Sequence, residues 1–348
     1  MAAMSVYDHR LCVAPMMDWT DRHCRYFHRL LAPTAFLYTE MVTADAVLNG
    51  DRRRLLGFDP AERPLALQLG GSDPRTLAAS AAIAAAYGYD EINLNVGCPS
   101  DRVQRGRFGA CLMKTPALVE QCVSAMQAVV AQPVTVKTRI GVDQYDSEAF
   151  LLDFVGRLVE SGLQTLIVHA RKAWLEGLSP KQNREVPPLD YERVAAVAHA
   201  FPDLEIILNG GIRDVELALA MMQRFDGVML GRAAYRDPWI LAELSSRLGQ
   251  PAPPSRGAVV AAMVGYARDH LAGGGRLQQI VRHMLGLFRG QPGARRWRQV
   301  LSQNMHRADA GPELLYAACP EPSGGAGPRK PGEGSRARAE SFSGSLAE

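Results

Sequence analysis

A chain of 348 residues, 47% of them hydrophobic, can fill one large core and a small appendage. It holds no run of about 18 apolar residues, its first ten residues lack a secretion-signal pattern, and its six cysteines form no CxxC pair, which argues against a membrane span or a disulfide framework and for a cytoplasmic protein. The net charge of +3 is unevenly spread: residues 245–307 carry ten arginines and one acid, Asp269, a local +9 that leaves −6 for the rest. That segment is either a solvated helical face or the seat of a polyanionic partner.

Short β-type runs alternate with helical patterns. Strands are predicted over residues 11–16, 35–41, 65–71, 91–96, 134–140, 165–171, 205–209 and 227–231. Helices are predicted over 20–31, 74–87, 116–131, 147–161, 190–199 and 215–224, with room for another between 43 and 62. Asp73-Pro74 suits a helix start and Gly88 a helix stop. Eight strand–helix units in this length predict an α/β fold, a (β/α)8 TIM barrel. After Trp239 the strand signal ends, and Pro251-Ala252-Pro253-Pro254 reads as a linker. Helical patterns follow over 257–271, 276–287 and 294–305; from about 308 the chain is rich in Gly, Pro, Ser, Arg and Glu. The expected domains are a catalytic barrel over 1–244, a helical domain over 245–307 and a disordered tail over 308–348.

Active sites of such barrels lie at the C-terminal ends of the strands. Six predicted strands end in polar residues: Gln68; Asn93 and Asn95; Thr135, Lys137 and Arg139; His169 and Arg171; Asn209-Gly210-Gly211; and Gly231-Arg232. Any one of these can be a satisfied core group. Burying Lys137, His169 and Arg171 together in one mouth is costly without an anion or ligand. Glycines after the last two strands allow close backbone approach, and Arg232 suits phosphate oxygens. Lys137 can stabilise negative charge on a flavin ring, so these features point to flavin mononucleotide (FMN). With no GxGxxG after the first strand a dinucleotide fold is disfavoured, and with no HExxH or Cys/His cluster no metal is expected.

Cys98 stands between Gly97 and Pro99 at the catalytic end, where a thiol can serve as nucleophile or general acid. A Gly/Arg-rich loop over 100–113 follows it and can close over a substrate.

The run Asn93-Leu94-Asn95-Val96-Gly97-Cys98-Pro99-Ser100, with Gly106-Arg107-Phe108-Gly109-Ala110, resembles the tRNA-dihydrouridine synthases. So do Ala14-Pro15-Met16-Met17-Asp18-Trp19-Thr20-Asp21 and His169-Ala170-Arg171. Gly177-Leu178-Ser179-Pro180-Lys181-Gln182-Asn183-Arg184 is similar to the A-type subfamily, which acts on uridines 20 and 20a of the tRNA D-loop. The resemblance implies FMN reduced by NADPH, hydride transfer to uracil C6, and protonation of C5 by Cys98. It implies Pro15, Met16 and Met17 along the flavin, Gln68, Lys137 and His169 on its ring, and Asn209, Gly210, Gly211, Gly231 and Arg232 at its phosphate. Asn95, Lys137, His169 and Arg171 would face uracil. Gln182, Arg184, Arg295, Arg296 and Arg298 would hold the tRNA, and the enzyme is expected to be monomeric. Arg105 departs from the smaller polar residue expected at its position. A flavin reductase of small molecules would share the flavin site but leaves the basic segment unexplained. A tRNA-binding protein without chemistry leaves the barrel mouth unexplained.

Overall fold

A computed structural model describes residues 8–320. Eight strands close into one barrel in sequence order, each parallel to its neighbours. They are β1 (Leu11–Val13), β2 (Phe36–Thr43), β3 (Leu65–Gly70), β4 (Glu91–Val96), β5 (Val134–Arg139), β6 (Thr165–His169), β7 (Glu205–Asn209) and β8 (Gly227–Leu230). The first strand is shorter than predicted because the chain turns at Met16, whose carbonyl accepts the amides of Trp19 and Thr20. The second runs further because Met41, Val42 and Thr43 pair with Gln68, Leu69 and Gly70 beyond a register shift.

Helices alternate with the strands: α1 (Arg22–Leu31), α2 (Ala44–Asn49), α3 (Arg52–Leu56), α4 (Pro74–Ala86), α5 (Asp101–Arg105), α6 (Pro116–Gln127), α7 (Glu148–Glu160), α8 (Tyr191–Ala200) and α9 (Val215–Met221). Most start on a side-chain cap. Asp21, Asp73, Ser147, Asp190 and Asp214 each accept an amide from the first turn that no carbonyl within the helix reaches. After α4 the chain reverses through Gly88 at φ +85°, a conformation favouring glycine. The expected loop over 100–113 is instead mostly helical, formed by α5 and a 3-10 segment at Gly109–Lys114.

Beyond β8 come α10 (Arg232–Arg236), α11 (Trp239–Arg247), α12 (Arg256–Ala272), α13 (Leu277–Met284), α14 (Ala294–Asn304) and α15 (Glu313–Ala318). Here α12 and α13 pack on α1: Tyr26 stacks on Tyr266 at 4.1 Å, and Asp21 pairs with Arg282 at 2.5 Å and His283 at 3.0 Å. Trp297 is fully buried, with its indole N–H donating to the Met284 carbonyl at 3.0 Å. The expectation of a disordered tail from 308 is corrected for its first part. Leu315 and Ala318 of α15 are buried, and α15 packs on α12 and α14. So short a segment with two apolar anchors forms a helix here only because α12 and α14 cover it, which composition does not reveal. Residues 321–348 of that expected tail lie outside the described residues. No helix among the described residues is long and apolar enough to cross a membrane.

Alternate residues of each strand face the barrel interior. On one side this interior is apolar, built from Cys12, Phe36, Tyr38, Ala66, Ile167, Ile207 and Met229. On the other it is polar, with Gln68, Asn93, Asn95, Thr135 and Glu91 bonded to one another. The bottom is closed by His9. Its Nε2 meets Glu91 at 3.0 Å and its Nδ1 meets Glu205 at 3.0 Å. Burial alone would lower its pKa, but the two carboxylates override this and raise it from 6.5 to about 10. A group whose folded pKa is raised stabilises fully below its unfolded pKa of 6.5 and loses that contribution as pH climbs through about 10. The melting temperature is therefore expected to fall between pH 7 and pH 10. The fall should be shallower in His9→Gln, as thermal denaturation of both proteins across that range will show; parallel slopes would refute it.

Candidate active site

The strands' C-terminal ends open into a cavity of about 1030 Å³. Its lining includes Pro15, Met16, Met17, Gln68, Asn95, Cys98, Lys137, His169, Arg184, Asn209, Gly210, Gly211, Gly231 and Arg232. Thus most of the sequence-predicted site residues share one chamber, because each ends a strand on its inward face or begins the loop that follows.

Lys137 reaches across the barrel, its Nζ donating to Asn209 Oδ1 at 2.9 Å, while Asn209 Nδ2 donates to the Met229 carbonyl at 2.7 Å. Burial, and then the neighbouring Arg139, push the Lys137 pKa down to about 7, against an opposing effect of Cys98. Burial, followed by Arg139, Lys137 and two further arginines, holds His169 well below its ordinary value, so the ring is neutral. Its Nδ1 is buried without a hydrogen-bond partner. Such an orphan is costly unless a ligand satisfies it.

Two glycines shape the wall after β7. Gly210 and Gly211 hold φ of +109° and +74°. A Cβ would come within 3.2 Å of the His169 ring at the first and 2.3 Å of Leu189 at the second. Only glycine permits this backbone to approach a ligand so closely. After β8, Gly231 begins α10 with no side-chain cap on the helix amides. Beside it Arg232 pairs with Glu185 at 2.5 Å and donates to the Arg184 carbonyl at 3.1 Å.

Cys98 is half-buried on the opposite side, its thiol 3.5 Å from Ser100 Oγ. Its loop is held from two directions. Asn95 Oδ1 accepts the amides of Gly97 at 3.1 Å and Cys98 at 3.0 Å. The buried Arg139 donates to the carbonyls of Gly97 at 2.8 Å, Lys172 at 3.1 Å and Asn183 at 3.0 Å. Lys137, Arg139 and Arg184 line the same cavity as the thiol.

Five residues expected at the flavin, uracil or tRNA do not line the cavity. Arg171 lies behind the lining. Its guanidinium donates to the carbonyls of Glu185 and Pro187, so it braces the wall from behind. Gln182 closes a turn, its Oε1 accepting the amide and hydroxyl of Ser179 at 2.9 and 2.8 Å. Arg295, Arg296 and Arg298 are exposed on α14. Arg105 likewise is exposed on α5 and donates to the Asp101 carbonyl at 3.4 Å. The cavity is also lined by Arg139 and Trp19, to which the sequence assigned no role, and by Met41, Arg236 and Arg289, which no sequence pattern marked. For Arg139 a signal existed: it stands two residues after Lys137, on the same inward face of β5. Trp19 stacks on Tyr235 at 4.2 Å, a pairing between the loop after β1 and α10 that no local pattern announces.

A closed parallel barrel with a cationic mouth, a close glycine approach and an accessible thiol at the strands' C-terminal ends has the build of a barrel enzyme. Residues 12–321 match the dihydrouridine synthase (Dus) family, and the chain belongs to it. It is 59% identical over 309 residues to the tRNA-dihydrouridine(20/20a) synthase of Xanthomonas axonopodis pv. citri, covering 89% of this chain and 92% of that protein. Proteins of the same name from Shewanella oneidensis and Pseudomonas syringae pv. tomato are 56% and 57% identical. Those matches cover 89% and 86% of this chain, and 93% and 90% of the relatives.

Proposed function

We propose that this enzyme reduces uridines 20 and 20a of tRNA to 5,6-dihydrouridine, with FMN as cofactor and NADPH as reductant. The observation that carries the reading is one chamber holding Cys98, the orphaned His169 Nδ1, the cationic Lys137 and the Gly210-Gly211 cradle. These residues fit FMN. A flavin ring offers acceptors to Lys137 and Gln68 and a partner to His169, and its phosphate suits the free amides after Gly231. Pro15, Met16 and Met17 supply an apolar wall for the ring. When bound, the flavin supplies hydride to uracil C6. Cys98 then donates its Sγ proton to C5, and the surrounding cations stabilise the thiolate left behind. The relatives' names carry the substrate and its positions.

The tRNA would lie across the mouth, gripped by Arg184 and Gln182 at the rim and by Arg295, Arg296 and Arg298 on α14. The basic segment 245–307 would act as the RNA-binding domain beside the catalytic barrel. Two measurements test this. The purified protein should show flavin absorbance and form dihydrouridine at positions 20 and 20a of an unmodified tRNA when given NADPH; formation at other positions, or none, refutes the assignment. Replacing the three α14 arginines by Gln should weaken tRNA binding and flatten its salt dependence by roughly 0.7–0.9 in log–log slope for each phosphate that is no longer neutralised. An unchanged slope would remove α14 from the interface.

A further inference from the structure

A line of hydrogen bonds runs through the barrel interior from its closed end to the Cys98 loop. At the bottom, both ring nitrogens of His9 face carboxylates, Nε2 on Glu91 and Nδ1 on Glu205. Both must therefore donate. The other Glu91 oxygen accepts the Thr135 hydroxyl at 2.6 Å. A carboxylate can only accept, so Thr135 must donate here and can only accept on its other side. It accepts Asn93 Nδ2 at 2.8 Å, which turns Asn93 Oδ1 toward Gln68, whose Nε2 donates to it at 2.8 Å. Gln68 Oε1 is thereby left to accept Asn95 Nδ2, at 2.9 Å. Asn95 must then present its oxygen to the backbone, where it receives the amides of Gly97 and Cys98. Each side-chain amide has two orientations of equal shape. The sense of the line is fixed at both ends, by the acceptor-only carboxylate of Glu91 and by the donor-only amides of Gly97 and Cys98, and the two ends agree.

We propose that Glu91, acting through Thr135, Asn93 and Gln68, is a positioning residue for the Cys98 loop: the sense it sets keeps the Asn95 oxygen turned to both loop amides and so holds the Cys98 backbone in place. The proposal rests on the reading of Cys98 as proton donor. Reversing the line would turn the Asn95 NH2 toward two backbone N–H groups, where donor meets donor and the loop loses both bonds. Gln68, Asn93, Asn95, Thr135 and Glu91 are all buried, so water cannot readily repair the mismatch.

The line predicts which isosteric changes matter. In Glu91→Gln, at a pH where His9 keeps both ring protons, the new amide oxygen is drawn to the Nε2–H and the NH2 is placed toward Thr135, which sets the lower end of the line against the amides of Gly97 and Cys98. Thr135→Val interrupts the line without changing shape. Thr135→Ser keeps the hydroxyl. With flavin-loaded enzyme, NADPH and an unmodified tRNA transcript, E91Q and T135V should each slow single-turnover reduction by at least about tenfold, because small displacements of a reacting group are that costly. T135S should recover most of the rate, since it keeps the hydroxyl that joins Glu91 to Asn93, and KM for tRNA should change less than the rate, since the basic residues expected to hold the tRNA lie outside the line. A second readout needs no turnover: iodoacetamide labelling of Cys98, followed by mass spectrometry against Cys111 in the same sample, should change rate in E91Q and T135V and not in T135S. Wild-type rates and labelling in folded E91Q and T135V would overturn the proposal. Equal impairment in T135S would also overturn it, as would loss of rate in proportion to loss of flavin, which would place the effect at Gln68. If Cys98→Ala keeps full turnover, the proton-donor reading fails instead, and the labelling still reports on the loop. Should T135V not fold, E91Q, which conserves volume and removes a buried charge, carries the test.

Discussion

Cys98→Ala is expected to retain flavin and tRNA binding and to lose most turnover, by roughly 10²–10⁴-fold, the usual worth of a positioned general acid. The reason lies in how little else in the chamber can deliver a proton. His169 is held neutral by burial and by Arg139, Lys137 and further arginines. Lys137, whose pKa burial brings down to about 7, can also carry a proton, but its Nζ reaches across the barrel to Asn209. The thiol is half-buried, its backbone is fixed by Asn95, and it opens into the same cavity as the proposed flavin residues. Cys98→Ser should recover little, because a hydroxyl is a far weaker acid than a thiol. Single-turnover reduction of tRNA, followed by dihydrouridine quantification, measures the loss. A rate equal to that of the wild type in Cys98→Ala would assign the proton to another group or to solvent.

The second large effect is expected at Arg139. Its guanidinium serves three carbonyls, those of Gly97, Lys172 and Asn183, from a buried position. These belong to the Cys98 loop, the segment after β6 and the segment carrying Arg184, so one fork ties three parts of the mouth together. Arg139→Met leaves three acceptors without their donor, costing on the order of 3 kcal/mol or more at about 1–3 kcal/mol for each group left unsatisfied in the interior. Both the melting temperature and turnover should fall. Arg139→Lys should not rescue either one, since an ammonium on a flexible stem cannot reproduce the planar fork. A lysine variant matching the wild type in stability and rate would show that charge alone is needed there.

Much of the barrel was legible in the chain because its signals are local. Alternation of short β runs with capped helices needs only neighbouring residues, and caps such as Asp73 and Ser147 act within a few positions of where they stand. The inward pairs Asn93/Asn95 and Lys137/Arg139 were visible for the same reason, since strand geometry puts every second residue on one face. The direction of Arg171 was not legible because it lies beyond His169, where β6 has ended and the period-2 rule no longer says which way a side chain faces. The helix α15 was missed because its stability comes from α12 and α14, not from its own six residues.

By itself, then, the sequence determined the strand–helix order, the cysteine motif, the glycines of the proposed phosphate cradle and the basic C-terminal segment. Each of these depends on residue type and short-range spacing. Tertiary structure alone decided that Lys137 meets Asn209 across the barrel, that Arg139 gathers three loops, and that His9 bridges Glu91 and Glu205 at the closed end. These partners are 72, 42, 33, 44, 82 and 196 residues apart in the chain. No local preference brings such groups together; closure of the barrel does, by making β1 the neighbour of β8.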